Sequence, residues 1–124
     1  MPTPIRILIG SVALDAVLSD TPCANAIAAA LPIRAEVRAW GDEFYFTVPV
    51  ATDLDETATV DVEAGDIGYW PPGRALALFF GPTPLSPGDR PVPASAVNLV
   101  GRIEGDPRVL RKVKGAAEVR IERG

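Results

Sequence analysis

GDIGYWPPGRALALFFGPTP, residues 65–84, decides the fold. Asp66–Trp70 and Ala75–Phe80 are short runs rich in aromatic and aliphatic residues, and Pro71-Pro72-Gly73 between them is a turn signal. The spacing predicts two antiparallel strands. Proline and glycine leave the unfolded chain few conformations to lose, so such a turn holds its shape at low entropic cost. A rigid turn that displays Tyr69, Trp70 and Arg74 has the make-up of a binding-site wall.

Working outward, the same strand-and-turn grammar recurs. Ile5, Ile7 and Ile9 alternate with Arg6 and Leu8, and Gly10-Ser11 turns the chain into a second strand through Val12, Leu14 and Ala16. Thr21 is an N-cap and Pro22 a first helical residue. The helix is expected to bury Ala26, Ile27, Ala30 and Leu31 and to stop at Pro32. Ile33–Ala39 reads as one strand. Gly41-Asp42 turns it into a strand in which Phe44, Phe46 and Val48 alternate with Glu43, Tyr45 and Thr47. Residues 50–64 are a polar connection with six or so residues of possible strand, and 81–94 are too rich in proline for a regular element. Val97–Ile103 is a strand, Asp106-Pro107 starts a short helix, and Ala117–Glu122 is the last strand. Close succession and short turns make the sheet mostly antiparallel, and closure removes exposed edges. The expected fold is mainly β: one domain over residues 1–124, a closed barrel of about eight strands with two short helices capping its ends.

Composition narrows the function. A net charge of −4 and a pI near 4.7 argue against nucleic acid and against anionic membrane surfaces. Residues 102–124 carry seven basic and four acidic side chains, against five and twelve before them. That basic end is either a solvated face or a contact for an acidic partner, including a second copy of this chain. With no histidine and one cysteine, histidine-based triads and zinc or thiolate metal sites drop out. No metal and no cofactor are expected. One cysteine suits a reducing cytoplasm, which is the expected location. Cys23, near the start of the helix, is either a small helix residue or a thiol activated by the dipole. The acidic run Asp53, Asp55, Glu56, Asp61, Glu63 lacks calcium-loop spacing and reads as a flexible loop.

The candidate site residues cluster around the quoted stretch. Glu43 alternates with core-facing Phe44, so it lies on the outer face of the barrel. Among Tyr45, Tyr69 and Trp70 its carboxyl is a candidate general base with a raised pKa, or else a solvated partner for Arg38 or Arg74. Tyr69 and Trp70 either stack on a ligand or cover a barrel end. Arg74, the second catalytic candidate, can clamp a carboxylate or polarise an amide carbonyl. Phe80 is expected to join the groove. Thr83, Ser95 and Asn98 either line it with hydroxyl and amide groups or satisfy turn backbones.

Three segments carry a resemblance to a known family: GDEFYFTVPV at 41–50, the 65–84 stretch, and PASAVNLVGRI at 93–103. Together they resemble a small family of bacterial and archaeal cyclophilin-like domains, over nearly the whole chain. The resemblance implies the cyclophilin-like barrel. True prolyl isomerases carry an arginine beside a phenylalanine, a Gln-Gly-Gly run and a pocket histidine, whereas this chain has neither Gln nor His. The expected function is therefore binding of a small molecule or short peptide in a groove lined by aromatics and arginine, without isomerase activity. The alternatives are a prolyl isomerase with a rearranged site, a small-amide hydrolase or lyase with Glu43 as base, and a structural subunit.

Overall fold

The computed structural model describes residues 1–124. Its first two strands, β1 (Thr3–Ile9) and β2 (Val12–Leu18), form the expected hairpin, with Gly10 in the left-handed region at φ +56°. Helix α1 (Pro22–Ala29) starts where Thr21 Oγ1 accepts a hydrogen bond from the Ala24 amide at 3.2 Å. Its buried stripe is Cys23, Ala24, Ile27 and Ala28. The expected stripe was one residue out of phase around Ile27, so Ala26 faces solvent and Ala30 and Leu31 are half-buried.

The remaining strands are β3 (Ile33–Glu36), β4 (Arg38–Ala39), β5 (Glu43–Thr47), β6 (Ala58–Thr59), β7 (Asp66–Trp70), β8 (Ala75–Phe79), β9 (Val97–Ile103) and β10 (Glu118–Arg123). All pairings are antiparallel, in the order β3-β10-β1-β2-β9-β7-β8-β5-β4, with β6 added on β9. The two ends of that order, β3 and β4, are consecutive pieces of one run of chain, so the sheet nearly closes on itself through residues 36–38. The expected single strand Ile33–Ala39 splits at Val37, whose amide donates to the Ala117 carbonyl at 3.0 Å while Arg38 and Ala39 turn to pair with β5. The split is what lets one run of chain serve both edges. The expected second helix, Pro107–Val113, is a 3-10 helix capped by Asp106. No helix is long and apolar enough to cross a membrane.

The barrel interior is a continuous core. Ile5, Ile7 and Ile9 of β1 meet Phe44 and Phe46 of β5, Ile67 and Tyr69 of β7, Leu76 and Leu78 of β8, and Ile121 of β10. Ile27 of α1 and Leu110 of the 3-10 helix join the same core, so both helices pack onto it. Burying a large apolar side chain contributes ~1.5–3 kcal/mol, which makes this layer the main source of stability.

Strand β8 departs from simple alternation: every residue of ALALF is buried. One face looks into the barrel. The other forms a second small core in which Ala77 and Phe79 meet Val97 and Val62, with Trp70 and Leu99 packed against them. A strand buried on both faces needs a cover outside the barrel. Val62 and Val97 supply it with Trp70 and Leu99, and the proline-rich segment 81–96 adds Pro93 and Ala94 on the same face. Thr83 Oγ1 donates to the Val92 carbonyl at 2.5 Å, and Arg90 ties the segment to the 61–63 loop through the Val62 carbonyl at 3.1 Å and Asp61 at 2.6 Å.

Candidate functional site

The site grows from the outer face of strands β5, β8, β7 and β9. Antiparallel register sets Glu43 opposite Phe79 and Tyr45 opposite Ala77, and Trp70 opposite Ala75 on the next strand. Directly opposed residues share a face. Small residues lie at the middle of this face. Ala77 contributes one methyl group, and Gly68 contributes nothing; a Cβ there would stand 2.7 Å from Val97 Cγ2. Large residues stand around them: Trp40 and Tyr45 on one side, Trp70 and Phe79 on the others. Pro93 and Ala94 of the covering segment and Val97 of β9 complete a cavity of about 270 Å3.

Trp70 is held in place. Its indole N–H donates to Ser95 Oγ at 2.6 Å, and its ring lies over Gly73, where a Cβ would come within 2.9 Å of the ring carbons. Glycine at 73 is thus required by the close approach of the ring.

Glu43 is the one charged side chain in the wall. It is only 7% exposed, and its Oε1 is the protein's one buried side-chain nitrogen or oxygen with no hydrogen-bond partner. Burial alone pushes the carboxyl up from 4.5 to about 7. The adjacent Asp42 has a different environment. Burial also acts against its charge, but hydrogen bonds from Lys114 Nζ at 2.5 Å and Arg111 Nε at 2.7 Å outweigh it and hold the carboxyl below its usual range. Two neighbouring carboxylates therefore differ in kind: Asp42 fastens the 3-10 helix to the β4–β5 turn, whereas Glu43 is left free to meet something else. Unsatisfied buried polar groups are rare in native proteins and require an explanation.

Of the residues singled out from sequence, Glu43, Tyr45 and Trp70 come together in this cavity, with Ser95 as the anchor of Trp70. The others lie elsewhere. Tyr69 precedes Trp70 in a strand and so points the opposite way, into the barrel; its hydroxyl donates to the Val50 carbonyl at 2.5 Å. Phe80 is fully buried in the main core against Phe44, with ring centres 5.0 Å apart. Arg74 is exposed at a left-handed φ of 48° beyond the turn, so the cavity has aromatic walls but no arginine. Thr83 braces the covering segment. Asn98 braces the 53–55 loop, accepting from the Asp55 amide at 2.8 Å and donating to the Asp53 carbonyl at 3.0 Å. Burial pushes the Cys23 thiol up, contrary to an activated thiol. Trp40, Ala77, Phe79, Pro93, Ala94 and Val97 also line the cavity and were not expected there. Each is apolar and indistinguishable from core by type; the doubly apolar run at β8 was the available signal.

A family model described as cyclophilin-like matches residues 3–122, and the chain belongs to that family. The solution structure of the hypothetical protein AF2241 from Archaeoglobus fulgidus superposes with a TM-score of 0.83 at 42% identity, covering 98% of this chain and 95% of that one. The structure of McbB in complex with tryptophan superposes with a TM-score of 0.70 at 16% identity, covering 96% of this chain and 44% of that one; the likeness is one of fold. A search of curated protein sequences gives no match.

Proposed function

We propose that this protein binds a small organic molecule in the cavity on the outer face of the barrel, with the Glu43 carboxyl as the polar anchor. The observation that carries this reading is the unpartnered Glu43 Oε1 in the wall of an otherwise apolar, aromatic cavity. Ligand sites combine such walls with a few placed polar groups. At ~30 Å3 per water-sized group, 270 Å3 accommodates about ten such groups, the size of a small metabolite or of one peptide side chain.

A catalytic version of the same site has one observation in its favour. A carboxyl lifted to about 7 is poised to take up or give back a proton near neutral pH, the property a general base for a small amide substrate requires. Prolyl isomerisation has less support, because it calls for a donor to the twisted amide. Arg74 lies outside the cavity, and the Trp70 N–H is engaged by Ser95.

The test is a fragment screen by ligand-observed NMR, comparing the protein with an Ala94→Phe variant. Ala94 is an exposed loop residue at the cavity, so the larger side chain fills the space without disturbing a strand. Fragments of about ten non-hydrogen atoms are expected to bind the parent protein and to lose binding in the variant at unchanged Tm. Binding that survives Ala94→Phe in full would refute the site.

A further inference from the structure

The charges around the cavity narrow the ligand class. Every other element that lines the cavity with Glu43 presents an uncharged side chain: β8 gives Ala77 and Phe79, β7 gives Trp70, β9 gives Val97, and the covering segment gives Pro93. Tyr45 is the one other titratable group in the wall. Asp42 is taken up by Lys114 and Arg111. Arg38, opposite Tyr45 on β4, is exposed and forms no ion pair with Glu43, and Arg74 is exposed beyond the turn. An anionic ligand would therefore meet a carboxylate with no cation in the wall to offset it. A neutral ligand without a donor would leave the Glu43 oxygen unsatisfied.

Resting on the ligand-binding reading above, we propose that the cavity selects small amines, binding one protonated nitrogen against Glu43 within walls formed by Trp40, Tyr45 and Trp70. The negative faces of tryptophan and tyrosine rings attract a cation, and a desolvated site strengthens that attraction. Here the three rings line the same cavity as a buried carboxylate, so ion pair and rings can act on the same nitrogen. The arrangement also couples binding to pH. The ammonium pairs with the ionised carboxylate, so binding displaces the Glu43 proton, and affinity falls as the pH drops through the carboxyl's titration range.

The experiment compares three probes of one shape: 2-phenylethylamine, 2-phenylethanol and phenylacetate. Tryptophan fluorescence reads binding, because both tryptophans of the chain, Trp40 and Trp70, line the cavity. At pH 8 the amine is expected to bind at least about tenfold more tightly than the alcohol, and phenylacetate most weakly. The amine's affinity is expected to fall roughly tenfold or more between pH 8 and pH 5.5, while that of the alcohol stays flat. In Glu43→Gln the amine is expected to lose its advantage. If the alcohol or the carboxylate binds as tightly as the amine to the unaltered protein, amine selectivity is wrong although the cavity still binds ligands. If none of the three binds, both readings fall. The pH series on the unaltered protein gives the answer independently of how the variant folds.

Discussion

Replacing Glu43 by glutamine is expected to make the protein more stable at alkaline pH, by an amount that follows from the site. Burial lifts the Glu43 carboxyl from 4.5 to about 7. The folded protein therefore holds this proton more tightly than the unfolded chain does. The stability linked to it is fully present below about pH 4.5 and is lost as the pH rises through about 7. The difference of about 2.5 pH units, at ~1.4 kcal/mol each, amounts to ~3–4 kcal/mol, of which roughly 2–3 kcal/mol falls between pH 5 and pH 8.5. Glutamine has nearly the same shape and no proton to lose. Asp42, whose carboxyl is lowered, has the opposite dependence: its contribution is present above its unfolded value of 3.8 and is lost as the pH falls below it, outside this window. At roughly 4 °C per kcal/mol for a chain of this size, the Tm of Glu43→Gln should gain about 10 °C on the parent protein between pH 5 and pH 8.5. The assay is a pair of thermal melts at each pH. Parallel Tm curves for the two proteins would show that Glu43 is not a desolvated carboxyl, and the reasoning about its orphaned oxygen would fail with it.

Further substitutions check the parts that shape the cavity. Gly68→Ala would push a Cβ into Val97 Cγ2 and should cost ~1–3 kcal/mol by overpacking, read as a lower denaturant midpoint. Asn98→Ala removes both side-chain bonds to the 53–55 loop and should destabilise by ~1–3 kcal/mol, with faster amide exchange at Asp55. Ser95→Ala releases the Trp70 N–H and should weaken ligand binding by about 1 kcal/mol, near fivefold in Kd, with a change in the tryptophan emission. Arg74→Ala should leave ligand binding unchanged in the same titration, since Arg74 stands outside the cavity.

The barrel was legible because its strands obey a period of two between strong turn signals. Ile5, Ile7 and Ile9 against Arg6, and Phe44 and Phe46 against Glu43 and Tyr45, announce which face is inward before any register is known. The break at Val37 was not legible, because the apolar alternation through Ile33–Ala39 is uninterrupted and only the partners of its two halves differ. The possible strand within residues 50–64 is only the two residues Ala58–Thr59, too short for a pattern to fix its place. A third of the candidate site was readable for the same reason as the barrel. Glu43, Tyr45 and Trp70 sit at outward positions of strands flanking tight turns. Grouping Tyr69 with Trp70 overlooked that neighbours in a strand face opposite ways, and grouping Phe80 with them took one phenylalanine for the other: Phe79 faces the cavity and Phe80 the core. The rest depends on long-range register and on a covering loop. Pro93 and Ala94 reach the site only because Thr83, Arg90 and Ser95 fasten that segment down.

The most direct measurement is the pair of indole N–H signals in a 1H–15N NMR spectrum during titration with 2-phenylethylamine. The chain has two tryptophans, and both form the cavity wall, so both resonances report on the site. The Trp40 and Trp70 signals are expected to shift together and saturably, and the shifts to collapse in Glu43→Gln. Indole signals that stay fixed while backbone amides around Arg74 or along the β3–β4 break respond would place binding elsewhere and refute the cavity as the ligand site.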